Sequence, residues 1–436
     1  MSVDIITFGC RLNSYESEVM KNHALAAGLH DTIVFNTWSV TAQAEKQARQ
    51  AIRKARRENP NARIVVTGCA AQINPKQFSE MNEVDAVLGN QEKMEGKEWQ
   101  LLTSPIGRGR RDNVEPGEGL TTSPFALTRN SLREFRPLPM GEVSEKTRVN
   151  DIMSVKETAS HLVASFDGKA RAFIQVQNGC NHRCTFCIIP FGRGNSRSVP
   201  MGEIVAQVRA LVEAGYNEIV FTGVDVSDYG QDLPGAPTLG QMMRRVLTLV
   251  PELPRLRLSS IDAVEVADAL CPLIAADRSL MRHLHVSLRH DIIAFCDKVR
   301  ALRPDIVFGA DIIAGFPTET DAMFENTLRL VDEVELTYLH VFPYSARPGT
   351  PAAKMPQVKA EIRKARAAQL RDAGKRQLQH YLAAQLGKEV TLVVEQDGIS
   401  GHGETFIPVR LNEPRPVGSL QRVTIAYADA TQAYTA

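Results

Sequence analysis

The chain has 436 residues, with 51 Lys and Arg against 50 Asp and Glu, and 43% of it is hydrophobic. These values are typical of a globular protein of two to four domains, and a net charge of +1 restricts nucleic-acid binding to local basic patches. No apolar run reaches the length of a membrane span and no basic leader opens the chain, so we expect no membrane partner. Seven cysteines, an odd number, favour a reducing cytoplasm over a disulfide framework.

Apolar strands alternate with amphipathic helices in the first hundred residues. Strands are predicted at 3–7, 32–36 and 63–67, with helices at 14–27 and 42–57 between them, which is the βαβαβ pattern of a parallel sheet. Cys10 follows the first strand and Cys69 the third. Ligands of open α/β sheets lie beyond the carboxyl ends of the strands, so both cysteines are predicted to point into one crevice. The loop after the middle strand contains Trp38.

A change of composition divides this region from the next. The predicted domains are an N-terminal domain at 1–97, an Arg-containing linker at 98–168, a central domain at 169–385 and a β-domain at 386–430. The central region predicts six strands, each followed by a helix or loop, at 172–177, 218–223, 255–260, 283–288, 306–313 and 337–342. Six βα units are too few for a full eight-stranded barrel, so we predict an open, six-stranded partial barrel.

Three cysteines follow the first of these strands in the spacing C-x3-C-x2-C, namely Cys180, Cys184 and Cys187. Such a loop can place three thiolates around one metal centre and leaves one position without a cysteine, where chemistry can occur. A structural zinc site is the alternative, but no second C-x2-C or H-x3-H pair supplies its fourth ligand. The loop lies at the C-terminal face, where barrel active sites are found.

The last part of the chain predicts an RNA-binding surface. Residues 354–376 carry eight Lys and Arg against two acidic residues in a helical pattern, and strands are predicted at 389–394, 405–411 and 422–428. A solvated helix face is the alternative for the basic stretch. His283, His285 and His340 alternate with apolar strand residues, which favours barrel packing over metal binding, although His285 has a register that allows it to face the site.

Several segments together resemble the radical SAM (S-adenosylmethionine) methylthiotransferase family. The N-terminal resemblance lies in residues 8–18 (FGCRLNSYESE) and 66–70 (VTGCA), and residues 222–225 (TGVD), 309–317 (GADIIAGFP) and 344–350 (YSARPGT) are similar to the branch that acts on N6-threonylcarbamoyladenosine. The resemblance implies transfer of a methylthio group to C2 of this nucleoside next to the anticodon of tRNA. It also implies a TRAM-like RNA-binding β-domain at the C-terminus and an electron donor as a partner.

The resemblance implies cofactors and their ligands. Cys180, Cys184 and Cys187 are expected to hold a [4Fe–4S] cluster whose open iron binds S-adenosylmethionine. Contacts to that cofactor are expected from the residues Gly223, Asp225, Ser259, Ser260, Gly309, Asp311 and Gly315. A second cluster is implied on three N-terminal cysteines, and Cys10 and Cys69 match two of them.

The chain departs from the family pattern at two places. Trp38 stands where the family has its middle N-terminal cysteine, and indole offers only an N–H donor, so the second cluster lacks one thiolate. After Leu288 the family continues with Gln-Ser-Gly and a basic stretch, whereas this chain continues with Arg289 and His290. These departures predict weak or absent methylthiolation and motivate one alternative, a non-catalytic RNA-binding relic. A sibling methylthiotransferase acting on isopentenyladenosine or a ribosomal protein is the other alternative, against which the segments 11–13 and 223–225 argue.

Overall fold

The computed structural model describes residues 3–103, 146–156, 170–288 and 292–436. Most of the predicted linker lies outside the described residues, and so do residues 289–291, where the sequence departs from the family pattern after Leu288. No helix in the described ranges is long and apolar enough to cross a membrane.

The N-terminal region is a five-stranded parallel sheet in the order β1-β2-β3-β4-β5. Its elements are β1 (Val3–Thr7), α1 (Arg11–Ala26), β2 (Thr32–Thr37), α2 (Ala42–Glu58), β3 (Arg63–Gly68), α3 (Cys69–Ile73), α4 (Pro75–Ser79), β4 (Ala86–Leu88), α5 (Gly96–Leu101) and β5 (Thr147–Arg148). The predicted βαβαβ pattern is confirmed. Strand β5 lies inside the stretch predicted as linker. The sequence did not reveal it because two residues are too short to give a periodic signal.

The central region is the open partial barrel that the sequence predicted. Its elements are β6 (Ala172–Gln175), β7 (Gln177–Asn178), α6 (Ile189–Arg193), β8 (Arg197–Ser198), α7 (Met201–Glu213), β9 (Glu218–Thr222), α8 (Leu239–Leu249), β10 (Arg255–Leu258), α9 (Ala263–Ala276), β11 (His283–Val286), α10 (Ile292–Leu302), β12 (Val307–Ala314), α11 (Asp321–Glu333) and β13 (Leu336–Pro343). Parallel sheets β6-β9-β10 and β11-β12-β13 are joined by the bridges Leu256–Leu280 and Ile261–Val286. Six strands therefore follow one another without closing.

A long helix and a closed β-barrel end the chain. They consist of α12 (Ala360–Ala383), β14 (Glu389–Val394), β15 (Ser400–Gly403), β16 (Pro408–Arg410), β17 (Leu420–Ala428) and β18 (Ala433–Thr435), with barrel order β14-β15-β16-β18-β17. Strands β15 and β18 were not predicted, since strands of four and three residues are too short to show a clear alternation. Closure leaves no unpaired strand edge in this small domain.

Two contacts set the N-terminal region against the partial barrel. Helix α1 packs on β6, and its buried Tyr15 and Val19 belong to the same hydrophobic cluster as the barrel strands. Arg347, after β13, is buried and donates to Ser39 Oγ at 3.0 Å and to the carboxylate of Glu45. The loop that carries Trp38 is therefore held against the C-terminal end of the barrel.

Candidate active site

The three barrel cysteines lie on a loop between β7 and α6 that backbone hydrogen bonds hold at its start, in its middle and within its last turn. The Cys180 N–H donates to Gly194 O at 3.1 Å, and the Cys187 N–H donates to Cys184 O at 3.0 Å. The Ala352 N–H donates to Thr185 O at 2.9 Å, which ties the middle of the loop to the segment after β13. All three thiols are free and half-buried. The chain thus presents three unpaired soft donors on one short, fixed loop.

Their surroundings disfavour bare thiolates. Burial, with a smaller effect from Asp225, raises the pKa of Cys180 to about 12, and burial raises the pKa of Cys187 to about 11. A bound cation reverses this preference because a coordinating thiol is deprotonated outright. Three thiolate donors with no fourth cysteine fit a four-iron cluster with one open iron, whose ligands bind different irons and need not converge on one point.

Asp225 lies beside this loop because Gln177 fixes its backbone. The Gln177 side-chain oxygen accepts from the N–H groups of Val224 and Asp225 at 3.0 and 2.8 Å. Gly223 is required there, since a Cβ would lie 2.8 Å from that same oxygen. The carboxylate of Asp225 is 3.5 Å from Cys180 Sγ and 3.3 Å from His182 Nε2. A fixed carboxylate next to the cysteine loop can receive a ligand ammonium group.

Two buried polar atoms near the same strand ends lack partners. Ser259 Oγ, just after β10, and Gln175 Oε1, in β6, have no hydrogen-bond partner among the described residues. Unpaired buried polar atoms are rare in folded proteins and point to a missing ligand or water. Ser260, also predicted to contact the cofactor, is exposed. The orphaned atoms fit a polar cofactor in the barrel mouth.

The predicted residues of β12 take different positions. Asp311 accepts from His340 Nδ1 at 3.1 Å and lies 3.1 Å from His285 Nε2, and these three side chains are close enough together to hold a metal ion. His285 is buried as barrel packing requires, whereas His340 is exposed. A Cβ on Gly309 would lie 2.9 Å from His285 Nδ1, so this glycine makes room for the histidine.

Gly315 follows β12 directly and faces helix α12 rather than the histidines. Its φ is +72°, and a Cβ there would lie 2.3 Å from Arg363 Cγ, so only glycine fits. The backbone N–H of Gly315 donates to Glu319 Oε2 at 3.0 Å.

The N-terminal cysteines do not form a three-thiolate site. Cys10 Sγ contacts Asn13 Oδ1 at 3.8 Å, and the buried Cys69 Sγ accepts from Arg193 Nε at 3.1 Å. Trp38 lies directly over Gly9, where a Cβ would come within 2.5 Å of the indole Cγ. An indole has no lone pair to offer a metal, so the residues present do not fit a cluster held by three thiolates.

Arg193 joins the N-terminal cysteine site to the barrel, a role that no motif or spacing predicted. It is buried, pairs with Glu16, and donates to Asn13 Oδ1 in addition to Cys69. Lys93 Nζ also pairs with Glu16 at 2.7 Å, so one buried carboxylate serves two cations. The partners are separated by up to 180 positions in the chain, and no spacing rule links them.

The basic helix is only partly available for RNA. Of the predicted cations, Arg366 is buried and pairs with Glu319 at 2.6 Å and Asp321 at 2.5 Å, which is a structural role. Three other cations are exposed and share one face of α12, namely Lys364, Arg371 and Lys375. The candidate RNA surface of this helix is thus smaller than its composition predicted.

Comparison with known families matches the N-terminal and central regions of the fold. The model described as uncharacterized protein family UPF0004 matches residues 2–89, and that of the Radical SAM superfamily matches residues 174–331. The solved structure of the radical S-adenosylmethionine methyltransferase TsrM from Kitasatospora setae, with cobalamin and a [4Fe-4S] cluster bound, covers 81% of this chain and 74% of its own. Its TM-score is 0.50 at 15% identity, so the likeness is one of fold.

Relatives similar in sequence extend over almost the whole chain. The chain is 51% identical to the threonylcarbamoyladenosine tRNA methylthiotransferase MtaB of Rickettsia prowazekii (strain Madrid E), over 96% of this chain and 93% of the relative. It is 32% identical to the protein of the same name from Aquifex aeolicus (strain VF5), over 98% and 100%. The tRNA-2-methylthio-N(6)-dimethylallyladenosine synthase of Novosphingobium aromaticivorans is 29% identical over 90% and 86%.

Proposed function

The chain belongs to the radical SAM methylthiotransferase family, and from that premise we propose that it modifies tRNA, directing a methylthio group to C2 of N6-threonylcarbamoyladenosine next to the anticodon. The observation that carries the proposal is the combination, in one chain, of the anchored cysteine loop at the mouth of the partial barrel and 51% identity to an enzyme named for this reaction. Identity to the relative named for dimethylallyladenosine is lower, at 29%.

Each part of the site has a role in this reaction. Cys180, Cys184 and Cys187 would hold the [4Fe–4S] cluster, which, when bound, supplies the electron for reductive cleavage of S-adenosylmethionine. Asp225 would receive the ammonium group of the cofactor, and the orphaned Ser259 hydroxyl would gain a partner from it. The N-terminal site lacks a thiolate at Trp38, so no step is assigned to it.

The partners follow from the substrate. The exposed cations of α12 and the closed C-terminal barrel, which is the predicted TRAM-like domain, would contact the tRNA backbone. An electron donor would be the second partner and would reduce the cluster. A tRNA substrate and an oxygen-sensitive cluster are both compatible with the cytoplasm.

A second candidate function is RNA binding without methylthiolation. Trp38, in place of the third N-terminal ligand, is the observation that favours it. The two candidate functions share the fold and the RNA surface. They differ in whether N6-threonylcarbamoyladenosine gains a methylthio group, which a mass measurement detects.

The test is nucleoside mass spectrometry of tRNA from a host that lacks its own methylthiotransferase for this nucleoside. The wild-type chain should add a methylthio group to N6-threonylcarbamoyladenosine at a low level, because the N-terminal site lacks a thiolate at Trp38, and the Cys184→Ala variant should add none. Absence of the product, with anaerobic cleavage of S-adenosylmethionine retained, would replace this proposal by the second candidate. A product on isopentenyladenosine would assign the chain to the sibling activity.

A further inference from the structure

Arg11 occupies an unusual position inside the partial barrel. It is the first residue of α1, directly after Cys10, and its guanidinium carbon lies 5.7 Å from the ring centre of Phe406. That ring is surrounded by side chains from several barrel strands: His283 at 5.3 Å, Tyr338 at 6.1 Å and Arg257 at 5.1 Å. Arg11 therefore enters the barrel from its open side, where α1 packs on β6.

The guanidinium of Arg11 has no polar partner there. It makes no hydrogen bond or ion pair with any residue that the structure describes, and it is half-buried. A guanidinium offers five N–H donors, and leaving them unused inside a protein is costly. The face of the guanidinium packs on the ring of Phe406, and the N–H groups along its edge stay available for a hydrogen-bond acceptor.

The nearby acids are already used by other cations. Glu218 is shared by three arginines: Arg257 at 3.0 Å, Arg171 at 3.4 Å and Arg255 at 3.6 Å.

The other acids near the guanidinium are engaged as well. Arg171 additionally pairs with Glu395, and Asp311 is held by two histidines. Arg11 is thus a free cation next to Arg171 and Arg257, a setting that favours an incoming anion.

We infer that Arg11 is a carboxylate-binding residue that recognises the threonyl carboxylate of the modified adenosine. This inference rests on the proposed function. The planar guanidinium edge matches a carboxylate in a two-point hydrogen bond, and the substrate differs from unmodified adenosine by a group that carries that anion. The methionyl carboxylate of S-adenosylmethionine has the same chemistry and is the other source that the experiment must separate.

The experiment measures binding by the full chain and needs no turnover. Three anticodon stem-loops are compared: one with N6-threonylcarbamoyladenosine, one with its methyl ester, and one with unmodified adenosine. The wild type should bind the first roughly 10- to 100-fold more tightly than the other two, as expected for charge-assisted hydrogen bonds. The methyl ester removes the negative charge from the RNA and not from the protein. The comparison therefore tests carboxylate recognition with the wild-type chain alone, even if a variant fails to fold.

Variants then assign the preference to Arg11. Arg11→Gln should abolish the preference while leaving affinity for the unmodified stem-loop unchanged, and Arg11→Lys should keep part of it. Arg244→Gln, which removes a charge from the exposed face of α8, is the matched control and should behave as wild type. Loss of S-adenosylmethionine affinity in Arg11→Gln, with no change in RNA preference, would assign the carboxylate to the cofactor.

Wild-type affinities for both the RNA and the cofactor in Arg11→Gln would overturn the inference. Equal binding of all three stem-loops by the wild type would instead count against the proposed substrate. The cofactor measurement would then decide alone whether Arg11 binds a carboxylate.

Discussion

Trp38 is the residue with the clearest consequence for chemistry. Its indole lies over Gly9, between loops that carry Cys10 and Cys69, and it offers no metal ligand. Gly9 has a φ of +93°, a conformation that glycine adopts without strain, and a Cβ there would clash with the indole. The backbone at position 9 therefore accommodates the large side chain.

We predict that the wild-type chain, reconstituted anaerobically, holds about four iron atoms, as one [4Fe–4S] cluster, and that Trp38→Cys holds about eight. A cysteine would complete the three-thiolate set with Cys10 and Cys69. Iron and sulfide analysis with Mössbauer spectroscopy measures the change, and Trp38→Ser separates the new thiolate from the space vacated by the indole. Two full clusters in the wild type would show that another group supplies the missing ligand.

Asp225 offers a second test at the scale of one residue. Gln177 holds its backbone N–H, and its carboxylate lies beside the cysteine loop, so Asp225→Ala should weaken S-adenosylmethionine binding roughly 10- to 100-fold while the cluster absorbance stays. Equilibrium binding to the reconstituted protein measures this. Asp332→Ala, which removes an exposed carboxylate from α11, is the control. Unchanged cofactor affinity in Asp225→Ala would contradict the assigned role.

Among the elements, helix α12 packs on the core with one face and presents exposed cations on another. One face is buried, with Leu370 and Ala373 in the barrel core and Arg366 paired to Glu319 and Asp321. The opposite face carries exposed cations. Removing the whole helix would thus destroy the fold as well as any binding of RNA, and substitutions on the exposed face are the cleaner test.

Replacing Lys364, Arg371 and Lys375 together by Gln should weaken tRNA binding and lower its salt dependence. The plot of log affinity against log salt concentration has a negative slope, and its magnitude should decrease by about 0.9 for every phosphate that the variant no longer neutralises. Filter binding at several salt concentrations gives the slope. A matched triple variant is available on α2, where exposed residues of equal charge are Arg53, Lys54 and Arg57. A larger effect from the α2 variant would move RNA recognition to the N-terminal domain.

At the scale of the whole molecule, Glu218 links the central barrel to the C-terminal one. It is buried and pairs with Arg257, whose guanidinium also donates to Gly403 O at 3.1 Å in β15. Burial pushes the pKa of Glu218 upward, but Arg257, Arg171 and Arg255 outweigh it and lower the pKa from the ordinary 4.5 to about 2. The domains are thus joined by a network with one central anion.

Glu218→Gln should destabilise the chain by about 3–5 kcal/mol, because it leaves buried arginines without their carboxylate. A carboxyl with a lowered folded pKa stabilises fully above its unfolded pKa and loses that effect as pH falls. Apoprotein stability should therefore fall between about pH 5 and pH 2, and less steeply in Glu218→Gln. Urea unfolding across this range tests both points.

The control for this prediction is Glu335→Gln at the exposed pair with Arg300, where about 0–1 kcal/mol is expected. A Glu218→Gln chain as stable as the control would show that the network does not hold the two barrels together.

Sequence alone determined the local features of this protein: the parallel N-terminal sheet, the six barrel strands, the cysteine loop and the substitution at Trp38. These depend on periodicity and spacing within short segments, which the chain states directly. Tertiary structure decided which distant residues meet. It placed Arg193 on Cys69, buried Arg366 away from RNA, and brought Arg11 beside Phe406 with no acid left to pair with it. Such contacts arise from packing of separate elements, and no local pattern encodes the distance between side chains hundreds of residues apart.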